Sequence, residues 1–209
     1  MGRKKEVFQD SITLYSIIGL ILISILSITL FFVEKGEVVL FLNAHHTYEI
    51  GQAFRYITFL GDGWIYLVAV PFVIIKKWKY LIALGITGII QTLIVHLFKR
   101  IIFPDWPRPS RFFDQEILQF TEGVKLYGHH SFPSGHTTTA FAVMGIMAYL
   151  YSNRLLQMIL LFLALLAGLS RMVILQHFFA DVLAGSFFGI FSAWAGIFIQ
   201  NYYSKIDVR

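Results

Sequence analysis

The run TLYSIIGLILISILSITLFFV, Thr13 to Val33, carries no charged residue. About 20 apolar residues cross the hydrocarbon of a bilayer as an α-helix, so this run is long enough to span. Arg3, Lys4 and Lys5 precede it, which predicts an uncleaved span that starts in the cytoplasm. A cleaved leader is not expected. The apolar region exceeds the usual 7 to 15 residues or so, and Glu34, Lys35 and Gly36 make no small-residue cleavage site. The rest of the chain points the same way: of its 209 residues, 57% are hydrophobic and 14% charged, and the mean hydropathy is +0.69. Soluble domains average far more charge. The reading is an all-α, polytopic membrane protein, residues 1-209 forming a single membrane-embedded domain.

There is no cysteine, so disulfides and thiol nucleophiles are excluded, and serine, histidine and carboxylates must carry any chemistry. The net charge of +5 comes from short basic clusters between apolar runs. That pattern fits topology signals and anionic headgroups, and no nucleic acid partner is expected.

Further spans are predicted at Tyr80 to Phe98, Ser134 to Tyr151, Leu155 to about Leu169 and Phe178 to Ile199. A weaker one covers Gly63 to Ile75. It is short for the bilayer, and a start back near Tyr56 would lengthen it. Val39 to Leu60 mixes polar and apolar residues as an interfacial or loosely inserted helix would, with His45 and His46 at headgroup level. Gly185 and Gly189 in the last span predict close helix contacts. The whole is a bundle of six transmembrane helices with a short interfacial helix or loop.

Six spans put nine of the 17 basic residues inside and eight outside, and five spans give the same split. The positive-inside rule alone does not decide. Reserving Lys99, Arg108 and Arg171 for a site leaves nine to five for six spans and six to eight for five. Six spans, with both termini cytoplasmic, are therefore preferred. Either way, Lys99 to Phe132, the start of the Ser134 helix and Arg171 to His177 share one face, which is external for six spans.

Chemistry concentrates on that face. In SRMVILQHFFAD, Ser170 to Asp181, His177 and Asp181 are four apart at a helix start and share a side. A carboxylate there fixes one imidazole tautomer and frees the other nitrogen as nucleophile or base. In GHHSFPSGHTTT, residues 128 to 139, Pro133 stiffens the approach and Ser134 is a favoured helix cap. Gly135 then lets an anion approach the unpaired first amides of the helix. His136 has no carboxylate three or four residues away, which suits a proton donor better than a nucleophile. His129 and His130 read as loop residues. Lys99, and Arg108 in WPRPS, add positive charge close to the hydrocarbon, where unpaired ions are costly. Nucleophile, proton donor, amide cradle and three cations together predict phosphoryl transfer with no metal or cofactor required.

At these residues the sequence resembles the type 2 phosphatidic acid phosphatase superfamily of lipid phosphate phosphatases, whose signatures are a Lys-to-Arg-Pro stretch, PSGH, and SR-x5-H-x3-D. Pro133 to His136 and Ser170 to Asp181 match the second and third. The resemblance implies that His177 becomes phosphorylated, that Asp181 supports it, and that His136 is the general acid. Lys99, Arg108, Ser134, Gly135 and Arg171 would hold the phosphate. The first signature departs: eight residues separate Lys99 from Arg108 where the family usually has six, so Arg100 competes with Lys99 for the lysine's role. Chain length and span number look most similar to small bacterial phosphatidylglycerophosphatase B type enzymes. That implies phosphatidylglycerophosphate as substrate, undecaprenyl pyrophosphate or another lipid phosphate as the alternative, and the bilayer as partner. A polytopic anion transporter, which would bind phosphate and release none, is the rival from another class.

Overall fold

The computed structural model describes residues 13–204, whose regular elements are all helices, with no strand among the described residues. Arg3, Lys4, Lys5, Lys205 and Arg209, used in the charge count, lie outside them. Helix α1 (Leu14–Ile28) starts at a capping box in which Thr13 and Ser16 each bond the other's backbone N–H. Two short helices follow, α2 (Glu37–Ala44) and α3 (Tyr48–Ile57). Helices α4 (Trp64–Lys77) and α5 (Leu81–Leu97) come next, then the four-residue α6 (Pro109–Phe112). The chain ends in α7 (Gly135–Leu150), α8 (Arg154–Val173) and α9 (Phe179–Ser204).

Four stretches are long and apolar enough to cross a bilayer: Leu14–Phe31, Trp64–Ile102, Arg154–Val173 and Phe179–Ser204. The second has 39 residues, a length of about 58 Å if straight, nearly twice the hydrocarbon thickness. It is in fact two helices, because the backbone breaks at Lys77 (φ −161°, ψ 87°) between α4 and α5. Ile17, Ile21, Ile25 and Ile28 on α1, with Leu67, Phe72 and Ile75 on α4, face outward. Apolar faces of this extent need lipid, not water. The protein is a polytopic membrane protein.

Helix α7 is the axis of the fold. At 16 residues it is shorter than a typical span, and α1, α4, α5, α8 and α9 all pack against it. Its contact with α9 is close where the sequence predicts it. A Cβ on Gly185 would lie 2.6 Å from the Ser134 carbonyl oxygen, and one on Gly189 would lie 2.5 Å from Phe141 Cβ. Only glycine permits that approach, which seats the start of α9 against the start of α7.

Two expectations need correction. Helix α3 does not run on into the next span: it tightens into a 3-10 turn at Thr58–Gly61, and Asp62 is extended (ψ 160°). The α4 segment therefore keeps its 14 residues. The cause is local, since Asp62 Oδ1 accepts the Gly63 N–H (2.9 Å) and starts a turn instead of a helix. Nor is Val39 to Leu60 one helix. It is two helices that clamp a protein loop: Asn43 exchanges hydrogen bonds with Gln119 (2.8 and 2.9 Å), and Gln52 and Arg55 donate to the Glu122 carbonyl. His46 pairs with Thr121 Oγ1 (2.9 Å), and burial lowers its pKa. Amphipathic composition is the same whether the polar partner is lipid or protein.

Candidate active site

Three segments build one buried cluster. The connector from α8 to α9 carries His177. There the His177 and Gln176 amides both donate to the Arg171 carbonyl (3.1 and 2.9 Å), turning the chain through Leu175 in the left-handed region (φ 57°). A non-glycine residue there is strained, and Leu175 is held by burial (1% exposed) in a cluster with Val39, Met172 and Phe178. The turn presents His177, also 1% exposed, toward Asp181, which is fully buried.

The second segment is the entry to α7. Ser134 Oγ accepts from Thr137 N (3.4 Å) and Thr137 Oγ1 (2.8 Å), and its carbonyl accepts from Thr138 N. That leaves the Gly135 and His136 amides as the free first donors of the helix. The Ser134 N–H donates to the Asp181 carbonyl (3.0 Å), so the two motif loops are joined through backbone. Ser134 itself is fully buried, with its hydroxyl turned to the cap.

The third is the segment after α5. Its last turn, Phe98–Ile102, widens into a π-helix, which accommodates extra residue length without ending the helix. Lys99 lies within electrostatic range of Arg108, Arg171 and Asp181. Arg100 instead reaches His130 Nε2 (3.3 Å) from an exposed position. Arg108 is fixed by the His129 carbonyl (2.9 Å) and by both the carbonyl and the side chain of Gln176 (3.1 and 2.9 Å). Arg171 donates to Thr58 Oγ1 (2.6 Å), and its buried Nε has no partner.

Sequence-predicted residues therefore converge. His177 senses Lys99, Arg108, Arg171 and His136 together. Burial first, and then those positive neighbours, hold its imidazole well below the usual histidine pKa, so it is neutral. His177 Nδ1 faces Asp181 Oδ2 at 3.5 Å, longer than a good hydrogen bond. The nearer partner of that oxygen is Ser131, whose hydroxyl donates at 2.5 Å and lies 3.3 Å from His177 Nδ1. Phe178 N donates to it as well (2.9 Å).

Ser131, Gln176 and Thr58 were not legible as site residues. Ser131 stands 50 residues from Asp181, and no local spacing links them. Gln176, beside His177, was readable in retrospect only as a polar residue in a buried connector. His129 and His130 are loop residues as expected, but structural ones. His129 Nε2 meets Arg111 Nη1 (2.5 Å), and His130 Nδ1 meets the Lys99 carbonyl (3.0 Å).

A family model described as the PAP2 superfamily matches residues 76–205, a stretch that contains Lys99, Arg108, the α7 entry and His177. Lipid A 1-phosphatase of Rhizobium etli is 30% identical over 119 residues, covering 57% of this chain and 48% of that protein. The lipid A 1-phosphatase of Rhizobium johnstonii is 32% identical over 108 residues, covering 52% and 41%. The chain thus spans about half the length of these relatives, or less. Among solved structures, LpxE of Aquifex aeolicus superposes with TM-score 0.64 at 24% identity, over 78% of this chain and 94% of that one. A transmembrane PAP2 type phosphatidylglycerolphosphate phosphatase from Bacillus subtilis does so with TM-score 0.60 at 19% identity, over 93% and 97%. At these identities the two structures speak for the fold. The family match covers more than half of the sequence and includes every cation and histidine of the buried cluster, and on that ground the chain belongs to the PAP2 superfamily.

Proposed function

We propose that this protein hydrolyses the phosphate ester of a membrane lipid through a phosphohistidine at His177. The observation that carries the reading is a buried, neutral imidazole beside a buried carboxylate, facing three cations and a second histidine. In the first half-reaction His177 Nε2 forms a bond to phosphorus as the bond to the lipid oxygen breaks, and His136 gives that oxygen its proton. In the second, His136 takes a proton from water, whose oxygen attacks phosphorus and releases His177 and phosphate. Asp181, together with the Ser131 hydroxyl that donates to it and faces Nδ1, keeps the proton on Nδ1, leaving Nε2 as the nucleophile. Lys99, Arg108, Arg171 and the amides of Gly135 and His136 stabilise the phosphoryl oxygens. Ser134 acts by capping α7 and freeing those amides. The direction of Arg100 toward His130 favours Lys99 for the lysine role. Six spans, cytoplasmic termini and an external site remain the topology proposed.

Phosphatidylglycerophosphate is the first substrate to test, with undecaprenyl pyrophosphate beside it. A second reading, a lipid A type 1-phosphate, is favoured by the two rhizobial relatives. The discriminating experiment is phosphate release from these lipids and phosphatidic acid by purified protein in EDTA. Hydrolysis of at least one is expected. Activity that disappears in EDTA and returns only with added metal would sink the phosphohistidine route, and binding without release would favour the transporter.

The depressed pKa of His177 sets a pH expectation. Protonation removes the nucleophile only as pH falls through that lowered value, so the imidazole stays usable below its ordinary pKa of about 6.5. Corrected for the substrate's own phosphate ionisation near about pH 6, kcat/KM has no acid limb at the ordinary histidine value. A limb centred there that persists after this correction would contradict the buried, neutral assignment.

A further inference from the structure

Lys35 belongs to none of the three motif segments. It follows α1, just before Gly36 (φ 97°) turns the chain into α2. Although the residue is exposed, its ammonium sits over three rings: Trp106 at 4.2 Å, Phe178 at 4.8 Å and Phe112 at 4.9 Å. Aromatic faces attract a cation and hold it in place. The rings come from the loop before Arg108, from α6 and from the residue beside His177, so the ammonium is fixed to the frame of the site. Lys35, Trp106 and Phe178 also line a cavity of about 260 Å³ together with Asp181. Asp181 uses Oδ2 for Ser131 and Phe178, whereas its buried Oδ1 has no partner.

The consequence depends on what phosphate does to the local field. Burial works against the charge of Asp181, and the hydrogen bonds from Ser131 and Phe178 and then the nearby cations work for it. Lys99 and Arg108 are among them, and with Arg171 they are the groups that bound phosphoryl oxygens would engage. A bound dianion neutralises that support and adds a like charge. Lys35 stands outside this set. Burial lowers its pKa while Asp181 raises it, so the two groups sense each other. Glu34 is the other ionisable group on the cavity wall, and His177, Lys99 and Arg108 face Asp181 from the site.

We propose that Lys35 is a positioning residue: its ring-held ammonium keeps the Asp181 carboxylate ionised, and His177 oriented, while phosphate occupies the site. This rests on the phosphohistidine reading. The test compares Lys35→Met and Lys35→Arg with wild type in the full chain, using short-chain phosphatidic acid between about pH 5 and 9. Lys35→Met is expected to lower kcat about 3- to 10-fold on the acid side. The acid limb of kcat should move up by roughly half to one pH unit, the deficit closing at alkaline pH, with KM within about twofold. Lys35→Arg should behave as wild type. The sign follows from the carboxylate: without Lys35, Asp181 takes its proton at higher pH. An equal loss at every pH, a raised KM with unchanged kcat, or no change in Lys35→Met overturns the proposal. Wild-type protein that releases no phosphate overturns the hydrolase reading beneath it.

Discussion

His177→Ala should abolish both turnover and the covalent phosphoenzyme, with a fall in kcat on the order of 10⁴-fold or more. The size follows from the chemistry: without an imidazole no covalent step replaces direct attack by water, and only the cations and helix amides remain to stabilise the transition state. His136→Ala separates the two histidines. The nucleophile survives there, so a phosphoenzyme still forms from a substrate with a good leaving group, while release of an ordinary lipid alcohol slows. Acid-quenched labelling with phosphate-labelled lipid measures both. A labelled intermediate in His177→Ala, with turnover near wild type, would assign the nucleophile to another residue. Loss of the label in His136→Ala as well would mean that His136 orients the phosphate in addition to donating a proton.

How much of this was legible beforehand depends on the range of the interaction. Long uncharged runs marked α1, α5, α8 and α9 to within a few residues, because desolvation of twenty apolar residues is decided locally. The α7 boundaries were equally clear from Ser134 and Tyr151. The break at Asp62 and the pairing of Asn43 with Gln119 were not, since each depends on whether a polar group finds water, lipid or protein. The site divides the same way. His177 and Asp181 are one helical turn apart, and their relation is local. Ser131 bonds Asp181, and Lys35 shares a cavity with it, only through the docking of α9 on α7 and of the α1–α2 connection on the loop before Arg108. The eight-residue spacing from Lys99 to Arg108 looked like a defect in the motif. The π turn at Phe98–Ile102 gives it a structural setting that no residue pattern announces.

Replacing Arg171 should be the next most damaging change. The residue is 7% exposed, its Nη1 donates to Thr58 Oγ1, and its Nε is buried with no protein acceptor. An unpartnered charged donor in such a position costs stability unless a ligand satisfies it, and a phosphoryl oxygen is the acceptor that fits. Arg171→Ala should lower kcat/KM by about 10²- to 10³-fold, the range for removing one strong donor from developing negative charge. Arg171→Lys should recover little of it, because an ammonium cannot hold Thr58 and phosphate along the fixed directions of a guanidinium. Thr58→Val keeps the charge and loses only its tether, so a loss of roughly 3- to 10-fold is expected from misplacement alone. Measured together, the three variants separate charge from geometry. If Arg171→Lys matches wild type, a diffuse positive field is enough and the phosphate does not bond to Nε. If Thr58→Val is as damaging as Arg171→Ala, the contribution of Arg171 lies in anchoring the turn before α4 to α8, and the phosphate is held by Lys99, Arg108 and the α7 amides.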